Sequence, residues 1–242
     1  MGICLFIIGN GRKRYLERTI ASWEANVSGN ITHKIIFDDS GNAEYGLWLK
    51  EKFGKRYTII QIDDQYSVGQ TVAIQFIFDY IKNLDVEFIL EIEEDWMLFR
   101  PLDLNKITSI LAINSHIVQM RIPRTIWYSD YHTLDIDAGS LLLYHKNLEE
   151  STGKFVRYKR DRWFEWRGKF YFWSHNPSVF RKSIVYEDYF SYSIDHEYSF
   201  GEQLMNKSDS SCIGFWAINE YDAYVTHIGY RDEKMHDSLS EH

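Results

Sequence analysis

The chain has 242 residues, 45% hydrophobic and 26% charged, a composition that describes a globular protein long enough to bury one sizeable core. Lys and Arg number 27 against 35 Asp and Glu, and the net charge of −8 excludes non-specific coating of nucleic acid by the surface as a whole. Two cysteines, Cys4 and Cys212, exclude a disulfide framework or a thiolate metal cage, and no run reaches the roughly 18 apolar residues that cross a bilayer.

The elements are taken in chain order. Ile3 to Ile8 is a continuous apolar run ending in Gly9-Asn10-Gly11, as expected for a strand buried on both faces. The run is followed, not preceded, by Arg12, Lys13 and Arg14, so it is no signal-peptide core, and a cytoplasmic protein is expected. Leu16, Ile20 and Trp23 then recur at helical spacing. Lys34 to Phe37 reads as a strand running into the polar loop Asp38 to Asn42. Ala43 to Phe53 is a short amphipathic stretch, Tyr57 to Ile62 a strand, and Thr71 to about Leu84 a helix apolar nearly all round, expected to be internal. Val86 to Leu90 is a strand that runs directly into Glu91-Ile92-Glu93-Glu94-Asp95-Trp96.

Strand and helix alternating at this spacing predict an α/β fold, a mostly parallel sheet flanked by helices. Ligands of such sheets bind beyond the carboxyl ends of the strands. Gly9 to Arg12, Asp38 to Asn42 and Glu91 to Asp95 all lie at such ends and are expected to converge on one crevice. The second half is less regular, with strands expected at Ile117 to Ile122, Ser140 to Tyr144 and Ala223 to Ile228 and a helix from Tyr198 to about Asn206. No composition break divides it from the first, so residues 1–242 are read as a single domain with two lobes, 1–100 and 101–242.

Glu91, Glu93, Glu94 and Asp95 repel one another unless a cation sits among them. A hard divalent ion such as Mg²⁺ or Mn²⁺ takes one or two carboxylates together with phosphate oxygens, and the alternative is a solvated acidic turn. His227 ends another strand-like run, where a lone histidine is either structural or a ligand. Asp195 and Glu197 stand at the entry to a helix, where they either complement its dipole or serve as a general base. Between Lys154 and Lys182 nine basic residues face only Asp161 and Glu165, a local charge of +7, and ten aromatic residues interleave with them. Rings mixed with positive charge suit stacked bases on a phosphate backbone, or a sugar lying on an indole. Arg162, Trp163, Trp166, Arg167 and Trp173 of this window, with Arg121 and Arg124, are the expected contacts to such a ligand, against the alternative of strands with core aromatics and solvated charges.

Gly9-Asn10-Gly11-Arg12 followed by Tyr15-Leu16-Glu17-Arg18-Thr19-Ile20-Ala21-Ser22-Trp23 resembles the opening of GT-A glycosyltransferases, and Phe37-Asp38-Asp39-Ser40-Gly41 resembles their second strand, whose end holds base and ribose. Val68-Gly69-Gln70 through Ala73 resembles the stretch that approaches the nucleotide. Glu93-Glu94-Asp95-Trp96 takes the place of the metal motif; it reads Glu-Glu-Asp, and its last carboxylate, Asp95, is the one that usually meets the metal. Trp173-Ser174-His175-Asn176-Pro177-Ser178 resembles a segment of virus-encoded members, Asp195 to Leu204 the acidic helix start that supplies the base in inverting enzymes, and Val225 to Gly229 a terminal motif whose histidine joins the metal.

The collinear resemblance implies a GT-A fold with an aromatic-rich acceptor lobe, residues 1–100 binding a UDP- or GDP-sugar and residues 101–242 binding the acceptor. It implies Mn²⁺ or Mg²⁺ on Asp95 and His227, donor binding by Gly9, Asn10, Arg12, Asp38, Asp39, Gly69, Gln70, Glu93 and Glu94, and Glu197 as base with Asp195 in reserve. The acceptor it suggests is a hydroxymethylated pyrimidine in DNA, or else a virion protein or polysaccharide, with the host cytoplasm as location if the protein is virus-encoded. A nucleotidyltransferase would need a Gly-rich, Lys-bearing phosphate loop, which is missing, and a non-catalytic sugar- or nucleic-acid-binding module stays open because the metal motif is altered.

Overall fold

In a computed structural model of the chain, residues 2–62, 69–125, 155–159, 163–168, 173, 175, 177–187, 212–218 and 222–229 are described. The first half alternates as its periodicity dictates: β1 (Ile3–Gly9), α1 (Lys13–Asn26), β2 (Val27–Ser28), β3 (Ile31–Asp38), α2 (Ala43–Phe53), β4 (Thr58–Gln61), α3 (Gln70–Ile81) and β5 (Phe88–Glu93). Then come β6 (Trp96–Leu98), β7 (Leu102–Asp103), α4 (Leu104–Ile113), β8 (Ile117–Arg121), β9 (Phe155–Lys159), β10 (Phe164–Gly168), β11 (Ser178–Arg181), α5 (Lys182–Glu187), β12 (Cys212–Phe215) and β13 (Val225–His227).

Nine strands form one sheet in the order β4-β3-β1-β5-β11-β8-β12-β10-β9. β1 pairs in parallel with β3 and β5, as do β3 with β4 and β8 with β12. β11 runs antiparallel between β5 and β8, and β10 antiparallel between β12 and β9, so these two alone oppose the common direction. The α/β fold with a mostly parallel sheet expected from the alternation is the one found.

Because β1 is central, both of its faces must be covered, and its unbroken apolar run is what that requires. Leu5 and Ile7 pack with Leu16, Ile20 and Trp23 of α1, Leu49 of α2 and Ile107 of α4 on one face. Cys4, Phe6 and Ile8 pack with Ala73, Ile74, Ile77 and Phe78 of α3 and with Trp173 and Phe180 on the other.

Two expectations are corrected. α3 is not internal: Val72, Phe76 and Tyr80 are exposed, because a sheet face offers a helix only one side to bury, whatever its other residues are. β5 does not stop at Leu90 but continues to Glu93, so Glu91 is a strand residue, fully buried in the sheet. The strand expected at Ser140 to Tyr144 and the helix expected at Tyr198 to Asn206 lie outside the described residues. No helix among the described residues is long and apolar enough to cross a membrane.

Candidate active site

Strand register brings the polar strand ends together. Gly9 of β1 stands beside Asp38 of β3, and Ile8 beside Glu93 of β5. The backbone continues the pairing past the strands, with Asp39 N–H donating to Gly9 C=O at 2.8 Å and Glu94 N–H to Ile8 C=O at 2.9 Å. Gly11, at φ +87°, turns the chain after β1 so closely against the next loop that its Cβ position would lie 3.3 Å from Ser40 Cβ.

α1 fixes the acidic turn at 94–98. Thr19 Oγ1 donates to Glu94 C=O at 2.7 Å and Trp23 Nε1 to Trp96 C=O at 2.7 Å. Ser22 Oγ accepts Leu98 N–H at 3.1 Å, and Asn26 Nδ2 donates to Leu98 C=O at 3.1 Å. Residues 19, 22, 23 and 26 form one stripe at helical spacing, so the helix reads the turn along its length. β6, which follows that turn, pairs antiparallel with β13, placing His227 opposite Trp96, and Ile228 N–H donates to Asp95 C=O at 2.8 Å. His227 Nε2 comes to 3.0 Å from Asp95 Oδ2, and its ring stands edge-on to Trp96 with centroids 4.9 Å apart.

A cavity of about 400 Å³ opens over these ends, within the size range of small-ligand sites. Asn10, Arg12, Asp39, Gly69 and Gln70 line it from the β1, β3 and α3 sides, and Glu93, Glu94, Asp95 and His227 complete it. Arg12 Nε donates to Glu94 Oε1 at 2.6 Å and Nη2 to Asp95 Oδ2 at 2.9 Å. Gln70 donates to Glu93 Oε1 at 2.6 Å and Trp96 Nε1 to Glu93 Oε2 at 3.1 Å, tying α3 to the acidic strand end. Gly69, φ +82°, is the N-cap of α3, so the N-terminal end of that helix meets the cavity.

These surroundings split the carboxylates. Burial pushes Glu93 up to about 7, and the Asp95 charge adds to it. Burial also raises Glu94, against the pull of Arg12. Burial opposes ionisation of Asp95 too, but the hydrogen bond and charge of His227, joined by Arg12, outweigh it and hold that carboxyl below its usual range. Asp38 is raised by burial and accepts Ser40 N–H at 2.9 Å, so it shapes the loop, while Asp39 faces the cavity. Gly9 acts by leaving room: a Cβ there would lie 3.2 Å from Glu94 Oε2 and 3.3 Å from the Tyr45 hydroxyl.

Asp95 and His227 fit a divalent ion. Asp95 Oδ2 and His227 Nε2 stand 3.0 Å apart at the cavity, close enough to bind one ion together once the histidine is neutral. The other Asp95 oxygen, Oδ1, is buried with no hydrogen-bond partner among the described residues. No group of three or more His, Cys, Asp or Glu able to hold a metal occurs among the described residues, so an ion here would draw further ligands from phosphate or water, as Mg²⁺ and Mn²⁺ commonly do.

Four of the expected acceptor contacts are buried. Trp163 and Trp173 are core residues, the latter with its ring 4.7 Å from that of Phe180, so neither offers an exposed indole. Arg121 and Arg124 are buried as well, Arg121 over the Phe215 ring and Arg124 bridged to Val225 beside β13. Trp166 and Arg167 belong to β10, and Arg162, Asp195 and Glu197 lie outside the described residues. Two of the nine basic residues are committed internally: Arg181 donates to the carbonyls of Leu111, Ser115 and Ile117, and Lys182 to those of Lys82 and Leu84. Gly229 enters the sequence only as the end of the motif Val225 to Gly229, and with no side chain it announces no role of its own.

The sequence matches no protein-family model and no curated protein. The fold is similar to solved structures: TarS 1–349 from S. aureus (TM-score 0.56, 12% identity, over 96% of this chain and 62% of that one). It is also similar to the same fragment in complex with UDP-GlcNAc (TM-score 0.52, 11% identity, over 93% and 58%). GalNAc-T7 with UDP, GalNAc and Mn²⁺ is a third (TM-score 0.61, 9% identity, over 94% and 44%). The chain spans at most 62% of the length of these structures, and the likeness is one of fold: the GT-A fold.

Proposed function

We propose that the chain is a metal-dependent glycosyltransferase that moves a sugar from a UDP- or GDP-sugar to an acceptor hydroxyl. One observation carries this reading: a cavity at the ends of three parallel strands is lined by Arg12, Asp39, Asp95 and His227 and by the N-terminal end of α3. The fold likeness to structures holding UDP-GlcNAc, and UDP with Mn²⁺, supports it.

Asp95 and His227 would hold Mn²⁺ or Mg²⁺, which when bound neutralises charge on the leaving diphosphate as a Lewis acid. Arg12 presents guanidinium donors to phosphate oxygens, and the N–H groups that open α3 favour an anion at the same place. Asp39 faces the donor from β3, the place that the GT-A resemblance gives to base and ribose, with Asp38 holding the loop behind it. For attack we assign Glu197 as the base that takes the acceptor proton, with Asp195 in reserve, giving displacement with inversion. The acceptor we put first is a hydroxymethylated pyrimidine in DNA, supported by the excess of basic residues in 154–182, apart from Arg181 and Lys182, which are turned to internal carbonyls. The buried state of Trp163 and Trp173 removes stacking by those two rings from that support.

The test is a donor panel of UDP- and GDP-sugars with Mn²⁺, read by mass spectrometry on DNA carrying hydroxymethylated cytosine or uracil. A mass gain of one sugar on one pair is the expected result, with Asp95→Ala lowering turnover at least about a hundredfold. Absence of both binding and hydrolysis for every donor in the panel would overturn the reading. Donor turnover without transfer to DNA would overturn the acceptor alone and leave a protein or polysaccharide hydroxyl.

A further inference from the structure

Two cationic or basic groups meet at one oxygen atom. Asp95 Oδ2 accepts from Arg12 Nη2 at 2.9 Å and stands 3.0 Å from His227 Nε2, while the same guanidinium holds Glu94 through Nε at 2.6 Å. A divalent ion between Asp95 Oδ2 and His227 would therefore share its carboxylate oxygen with a guanidinium, and like charges in a partly dry site repel far more than in water.

Asp95 has nowhere to retreat. Its side chain is buried, its carbonyl is held by Ile228 N–H at 2.8 Å, and a Cβ at Gly229 would already lie 2.5 Å from Oδ2. Arg12 has the freedom that Asp95 lacks. Its side chain is 38% exposed, lines the cavity, and starts from a loop that turns at Gly11. An arriving diphosphate offers that guanidinium a doubly hydrogen-bonded anion of higher charge than a carboxylate.

We propose that Arg12 is an internal counter-cation that competes with the divalent metal for Asp95 and is handed to the donor's diphosphate, so that metal and nucleotide each bind tightly only with the other. The proposal rests on the reading of the site as a metal-dependent nucleotide-sugar site. Before the donor arrives, Arg12 is shared between Glu94 and Asp95, offsets part of their charge and keeps metal affinity low. Once the guanidinium swings onto phosphate, Asp95 is released to the metal. Linkage makes the effect reciprocal: the factor by which nucleotide tightens metal is the factor by which metal tightens nucleotide.

Electron paramagnetic resonance of free Mn²⁺ tests this on the full chain, with and without UDP. In the wild type, UDP should tighten Mn²⁺ at least about tenfold. Arg12→Met should bind Mn²⁺ alone at least about fivefold more tightly than the wild type, bind UDP alone more weakly, and keep only the coupling that direct metal–diphosphate contact supplies. A merely structural role for Arg12 would weaken both ligands together. Circular dichroism melts check that the variant is folded. Should it unfold, Arg12→Lys carries the test, because an ammonium gives up the two-pronged grip and must again bind Mn²⁺ alone more tightly than the wild type. UDP-dependent Mn²⁺ binding in the wild type, with variants that bind Mn²⁺ alone no tighter, overturns this proposal and leaves the glycosyltransferase reading standing. No binding of Mn²⁺ or UDP by wild type or variants overturns both.

Discussion

A methyl group at Gly229 would stand 2.5 Å from Asp95 Oδ2 and 2.9 Å from Arg12 Nη1. No φ is at issue there; the position needs glycine for space, since Asp95 and Arg12 occupy the volume a side chain would take. Gly229→Ala should therefore weaken Mn²⁺–UDP binding at least about tenfold, while the melting temperature falls only a few degrees, measured by calorimetric titration beside a thermal melt. Cys4 illustrates the opposite case, a reactive group made inert. Burial pushes its thiol up to about 12, so at pH 8 it is protonated and shielded. Iodoacetamide should leave Cys4 unlabelled in the native protein and label it fully after denaturation, read by peptide mass spectrometry.

At the scale of elements, α1 is both a core helix and the clamp on the acidic turn. Its apolar positions Leu16, Ile20 and Trp23 are legible from spacing, because packing against the sheet demands them. Its polar work is not legible: Thr19 and Ser22 are ordinary helix residues in sequence, and only the tertiary fold supplies the Glu94 carbonyl and Leu98 N–H they bind. Thr19→Val keeps the shape and strands a buried carbonyl. It should cost about 1–2 kcal/mol in urea unfolding and lower kcat/KM, since Glu94 and Asp95 lose their support. β5 shows the converse limit. Four acidic residues after an apolar run suggested that the strand stops at Leu90, whereas Glu91 continues it with its carboxylate paired to buried His175. A partner supplied from a remote segment turns an apparent strand end into strand interior.

Over the whole molecule, the three-strand convergence on one crevice was readable, because parallel α/β architecture dictates where loops gather. What composition could not distinguish was aromatic residues facing an acceptor from aromatic residues facing the core; Trp163 and Trp173 fell on the core side. The sheet passes from parallel to mixed where β11 inserts between β5 and β8, and the Glu91–His175 pair sits at that seam, with Ser178 opposite Glu91 and hydrogen-bonded to Gln119 at 2.9 Å. Replacing one member of a buried pair leaves the other polar group without its mate. Glu91→Leu should therefore destabilise the protein by about 3 kcal/mol, measured by the shift of the urea midpoint at constant slope.

The antiparallel pairing of β13 with β6 has a consequence in time as well as in space. It joins segments far apart in the chain, and such contacts close late because the loop entropy must be met before the contact forms. The strand β1, helix α1 and strand β3 can assemble from neighbours in sequence; the Asp95–His227 pair cannot. Trp96, edge-on to His227 at 4.9 Å, is a built-in optical reporter of that closure. In stopped-flow refolding, the fluorescence component lost in Trp96→Phe should belong to the slowest phase, so that the protein acquires its chemistry only as the final stage of its folding.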